Sequence, residues 1–125
     1  MSAPLVEKIA AALAPREEVV AAWLFGSAAS GRTTTESDID VAVLLTRTPT
    51  LEEKLALAAD LERTLEAEVD LVVLNGADVI LGFEAVSGKP AFCRDREARA
   101  EFVSITAREF EDESAQLERA LRLRR

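Results

Sequence analysis

The chain has 125 residues, 49% of them hydrophobic, with 23 acidic side chains against 15 basic ones and a net charge of −8. That length and composition suit one domain with a real core and argue against disorder. The acidic balance argues against nucleic acid as a direct partner, because phosphate neutralisation dominates such binding, and no apolar run approaches the roughly 20 residues of a membrane span.

The cysteine and histidine counts narrow the chemistry. Cys93 is the single cysteine and there is no histidine. A disulfide within the chain is excluded, and a reducing cytoplasm is the default compartment. The N-terminus "MSAPLVEKIAAALAPREE" has no basic leader and carries an acid within its apolar face, so it does not read as a signal peptide. A zinc site of thiolates and imidazoles cannot be built. Any metal must be hard and oxygen-bound, meaning Mg²⁺, Mn²⁺ or Ca²⁺.

In chain order, Leu5, Ile9 and Leu13 share one face of a short helix that Pro15 follows. Residues 18–25, "EVVAAWLF", read as a buried strand with Trp23 in the core. Gly26 to Gly31 predicts a turn into a short helix, and "RTTTES" a loop. "DIDVAVLL", 38–45, is a second strand. Thr50 and Glu53 form a capping box that opens a helix to about residue 68, with Leu51, Leu55, Ala58, Leu61 and Leu65 as its buried stripe. "VDLVVL" is a third strand, stopped by Asn75-Gly76. Residues 77–87 form a helix through Val79, Ile80, Phe83 and Val86. "GKPAFC", 88–93, is a weak strand that Pro90 assigns to an edge. From Asp95 onward the pattern is helical. Val103, Phe110 and Leu117 recur every seven residues, with Leu121 alongside, in a helix longer than a small sheet needs. Strands separated by helices make the fold α/β or α+β, a small mixed sheet flanked by helices.

Asp38 and Asp40 stand two apart on a strand, so their carboxylates share a face and repel. No basic residue is close in sequence, and a divalent cation is the natural counter-charge. Asp70 lies near the corresponding end of the third strand. If that strand is the parallel neighbour of the second, joined by the intervening helix, the three carboxylates meet. Three carboxylates can hold two metal ions roughly 3.5–4 Å apart, as in-line phosphoryl displacement requires. Gly26-Ser27 lets backbone approach a ligand closely and opens onto a helix start, a ready anion site. Beside these readings stand plainer ones. Asp-x-Asp also occurs in solvated turns, Ser27 can simply cap a helix, and the last helix can simply cover the sheet.

Gly26-Ser27, ten residues, then Asp38-Ile39-Asp40, with "SDIDVAVLL" and "VSGKPAF", resembles the DNA-polymerase-β-like nucleotidyltransferase superfamily, in its minimal nucleotidyltransferase (MNT) branch. The resemblance implies one domain over 1–125, with a core over about 18–95 and a C-terminal helix over about 95–122. It implies that Asp38 and Asp40 bind two Mg²⁺ ions, with Mn²⁺ as substitute. Asp70 joins them at the metals and helps to activate the attacking hydroxyl. Gly26 and Ser27 hold the triphosphate of an NTP, ATP first among them. Many relatives carry Arg where this chain has Ser30, so either Arg32 takes over contact with the triphosphate or nucleotide affinity is weaker. MNT proteins are often antitoxins paired with a HEPN RNase toxin, and some transfer AMP to a toxin tyrosine. The expectation is therefore a protein adenylyltransferase in a hetero-oligomer with such a toxin, with a homodimer as the other assembly. Nucleotidylation of a small molecule such as an aminoglycoside, and inhibition by contact alone, are the alternatives.

Overall fold

The computed structural model describes residues 3–26 and 38–123. The expected turn, short helix and loop after Gly26 fall outside them. The elements are α1 (Ala3–Leu13), β1 (Val19–Phe25), β2 (Ile39–Leu45), α2 (Leu51–Leu65), β3 (Val69–Val73), α3 (Val79–Val86), β4 (Lys89–Cys93) and α4 (Arg96–Leu123). The four strands form one sheet in the order β3-β2-β1-β4. β1 runs antiparallel to β2 and β4, while β2 and β3 are parallel. This is the mixed α+β sheet read from the sequence, with Pro90 on an edge strand as expected.

The sheet separates two apolar layers. Ile9, Leu13, Leu24, Val41, Val43, Leu57 and Leu61 fill the layer under α1 and α2. Trp23, Phe25, Ala42, Leu44, Leu74 and Ala85 fill the layer under α3 and α4. β1 and β2 are apolar on both faces because both faces are covered. Trp23, only 2% exposed, is core.

Several polar side chains close the strand ends. Asn75 accepts from the Leu45 N–H at 2.9 Å and donates to the Leu45 carbonyl at 2.7 Å, so its amide extends β2 pairing where β3 stops. Arg94 donates to the carbonyls of Val19, Ala14 and Arg16, at 3.0, 2.9 and 3.0 Å, and so ties the exit of α1 to the start of β1. Asp60 receives both Arg16 and Arg63, which fastens α2 to the segment after α1.

Two predicted stripes are corrected. On α2, Leu51 and Leu55 are exposed, at 73% and 61%, and the buried residues are Leu57, Leu61 and Leu65. At about 100° per residue, Leu55 lies about 120° round the helix from Leu61, off the face that meets the sheet. On α3, Ile80 is exposed and the small residues Gly82 and Ala85 face inward. Phe83 instead stacks on Phe110 of α4, with centroids 4.0 Å apart. The last helix does overhang: every residue from Glu111 to Leu123 is exposed.

The capping box on α2 is present in both directions. The Glu53 N–H donates to the Thr50 hydroxyl at 3.1 Å, and the Thr50 N–H donates to the Glu53 carboxylate at 2.8 Å. The Arg47 guanidinium, bonded to the same carboxylate, and the Thr50 N–H hold the Glu53 pKa down at about 2. A lowered carboxylate pKa stabilises the fold above its unfolded value and loses that contribution as pH falls. Thr50→Ala should cost about 1 kcal/mol in urea melts at neutral pH. Wild-type stability gained from Glu53 should fall between pH 4.5 and 2, and Glu53→Gln should flatten that part of the pH profile.

Candidate active site

The parallel pairing of β2 and β3 sets Asp40 directly beside Asp70 in the register. Both belong to the sheet face that carries Ala42, Leu44 and Val72, the face under α3 and α4. Phe25, the last residue of β1, pairs with Asp40 from the other side. Gly26 follows at once with φ +72°, a left-handed conformation that favours glycine. A Cβ built on Gly26 would lie 2.2 Å from Asp40 Oδ2. The chain therefore turns over the Asp40 carboxylate so closely that a side chain is excluded. The Gly-Ser motif predicts a close approach of Gly26 to a ligand; the close approach seen here is to the Asp40 carboxylate.

Electrostatics mark the same spot. Burial raises the Asp40 pKa above the ordinary carboxylate value. Asp70, through its charge and a side-chain hydrogen bond, then Asp38 and Glu84 push it the same way. The register thus sets two like charges side by side, and Asp38 adds its charge from just before β2. Among the described residues no group of three acids is already gathered around one point as a finished metal cage. What exists is an in-register carboxylate pair with a third carboxylate beside it, an oxygen-only donor set that suits a hard divalent cation. Ser27 and Arg32 lie outside the described residues.

A groove of about 610 Å³ opens beside the pair, and Asp40, Asp70, Glu84 and Lys54 border it. Sequence reasoning missed two of these. Glu84 is the lone charged residue in the helix "VILGFEAV", and that isolation was a usable signal. Lys54 left no signal: it sits one turn into α2, far from the motif, and only the crossover packing carries it to the groove. Gly88, from "VSGKPAF", packs under the end of β1, where a Cβ would lie 2.4 Å from the Leu24 carbonyl oxygen.

Residues 7–97 match the family model for polymerase beta nucleotidyltransferases. The chain belongs to this nucleotidyltransferase family. A toxin–antitoxin crystal structure with AMP-PNP is 28% identical, covering 91% of this chain and 93% of that one, with a TM-score of 0.78. A complex of tri-AMPylated Shewanella oneidensis HEPN toxin with MNT antitoxin is 26% identical, covering 97% and 96%, with a TM-score of 0.74. A toxin–antitoxin MntA–HepT structure is 25% identical, covering 89% and 88%, with a TM-score of 0.69. No curated protein matches the sequence. The family resemblance read from the Gly-Ser and Asp-x-Asp spacing is thereby borne out. No described helix of the nucleotidyltransferase is long and apolar enough to cross a membrane.

A raised carboxylate pKa means that the folded state holds its proton more tightly than the unfolded chain. The stabilisation is present at low pH and is lost as pH rises through the raised value. Asp40→Asn should therefore raise Tm at pH 7 in metal-free buffer, and the gain should shrink toward pH 3. Calorimetric scans across that range check it; a loss of Tm at pH 7 would contradict the carboxylate strain.

Proposed function

We propose that this nucleotidyltransferase moves AMP from ATP onto a tyrosine hydroxyl of a HEPN-type toxin and so acts as its antitoxin. The observation that carries this is the Asp40–Asp70 pair under Gly26. It stands in a chain similar along nearly its whole length to toxin–antitoxin structures with AMP-PNP and with an AMPylated HEPN toxin.

Asp38, Asp40 and Asp70 are the residues that would hold the metal. When bound, two Mg²⁺ ions, or Mn²⁺ in their place, supply positive charge against the carboxylates and the triphosphate. Gly26 and Ser27 approach the β- and γ-phosphates by backbone, and Arg32 adds a charge-assisted bond. Asp70, on its own strand, faces the acceptor and orients its hydroxyl. The acceptor oxygen bonds the α-phosphorus, the bond from that phosphorus to the bridging oxygen breaks, and pyrophosphate leaves. The hydroxyl proton passes to a carboxylate of the site or to solvent.

A protein acceptor is favoured by the overhanging end of α4. Leu117 and Leu121 are exposed at 63% and 56%. Glu111, Asp112, Glu113 and Glu118 precede or flank Leu117 in sequence, while Arg119 and Arg122 flank Leu121, with Arg122 paired to Glu118 at 3.1 Å. An exposed apolar seam whose Leu117 end is acidic, on a chain of net charge −8, suits a basic helical partner. Phe110 is already engaged with Phe83, so Leu117 is the position to test.

Incubation of the chain with ATP, Mg²⁺ and a HEPN-type partner should add AMP to a partner tyrosine by mass spectrometry. Asp38→Asn with Asp40→Asn should abolish the addition while leaving the fold as stable or more so. Transfer by that double variant would refute the site. A tight complex with no added mass would leave inhibition by contact alone. Asp70→Asn should lower turnover far more than ATP affinity. Leu117→Lys should weaken the complex at least tenfold without changing Tm; unchanged affinity would remove the overhang from the interface.

A further inference from the structure

The groove beside the carboxylates continues along β3. Asp70, Leu71, Val72 and Val73 all border it. Phe25, Asp40 and Glu84 set one part of it on the face under α3, while Leu71 and Val73, whose side chains point to the opposite face, and Lys54 of α2 carry it round the strand's outer edge. β3 is the terminal strand of the described sheet. In a parallel ladder, alternate residues turn their N–H and C=O groups toward the neighbouring strand. Glu68 accepts from the Ile39 N–H and Leu74 donates to the Val43 carbonyl. The alternation between these two turns Asp70 and Val72 toward β2, and Val69, Leu71 and Val73 outward. The outward N–H of Val69 already donates to the Glu62 carboxylate at 3.1 Å. Those of Leu71 and Val73 have no partner among the described residues.

The free edge therefore begins one residue beyond Asp70 and runs along the groove. Its two ends differ in charge. Asp70 and Glu84 border the groove, and α2 starts beyond the Leu45 end of β2, on the Val73 side of the parallel pair, so Lys54 in its first turn belongs toward the Val73 end. Unpaired strand edges recruit a further strand, and backbone bonding of that kind holds extended protein segments. A small-molecule acceptor has no row of amides to match these groups. A nucleic-acid strand would bring phosphates against Asp70 and Glu84.

We propose that the acceptor protein binds as an extended segment added to the free edge of β3, with backbone bonds to Leu71 and Val73 and its hydroxyl-bearing residue beside Asp70. The assignment rests on the protein-acceptor reading above and names how that acceptor is held. At about 3.3 Å per residue, an anionic group roughly three residues from the hydroxyl meets Lys54.

Amide hydrogen exchange on the wild-type chain, free and in complex with the HEPN-type partner, tests this without relying on catalysis. Exchange at Leu71 and Val73 should slow at least tenfold in the complex, while Val69, bonded already, changes little. Unchanged exchange at Leu71 and Val73 in a formed complex overturns the proposal. Val73→Pro removes one outward N–H and fills the edge, on a strand where an outward-facing proline is tolerated. It should raise KM for the partner about tenfold, more than it lowers kcat, with ATP affinity retained. A wild-type KM in a folded Val73→Pro chain overturns the proposal as well. If that variant does not fold, the exchange measurement decides. Protection at both amides with no AMP transferred would refute the transfer reading and leave the edge assignment standing.

Discussion

Two carboxylates in register on neighbouring parallel strands are the constraint around which the structure is arranged. Like charges this close are unfavourable, and only the surrounding packing keeps Asp40 beside Asp70. Parallel neighbours need a crossover of a dozen residues or more. α2 supplies it, pinned at its start by the Thr50–Glu53 box and to the segment after α1 through Asp60. On the other flank β1 pairs with β2 down to Phe25 opposite Asp40, so the turn at Gly26 is delivered onto the carboxylate. The fold thus stores a local electrostatic cost at the place where a cation would relieve it.

The α3–α4 layer relates the site to the protein's far surface. α3 carries Glu84 into the groove and, one residue earlier, Phe83 onto Phe110. Beyond that stack α4 leaves the body of the domain with its leucines exposed. Among the described residues of α4, every one that follows this stack is exposed. A partner held on the overhang would bear on the helix that carries Glu84.

How legible the site was depended on range. Gly26 and Asp40 were readable because their placement is set by local geometry, a left-handed glycine and a carboxylate at the start of a strand; Asp38, read as the first residue of that strand, stands just before it. Asp70 was readable on one added assumption, the parallel crossover, which the register bears out. The stripes on α2 and α3 were misread because spacing of three and four residues admits more than one face. Leu51 and Leu55 repeat as regularly as Leu57 and Leu61, and only the position of the sheet selects between them.

The sequence by itself determined the four strands and the four described helices, the core character of Trp23, the capping of α2 and the Asp-x-Asp spacing. Each follows from residues within one or two turns of each other. Only the tertiary structure decided that Asp40 meets Asp70, that Lys54 and Glu84 share their groove, that Phe83 stacks on Phe110, and that β3 is the terminal strand of the described sheet. These depend on which strands neighbour one another and how each helix is rotated against the sheet. Such choices are made by burying area across the whole chain, and no short stretch of it records them.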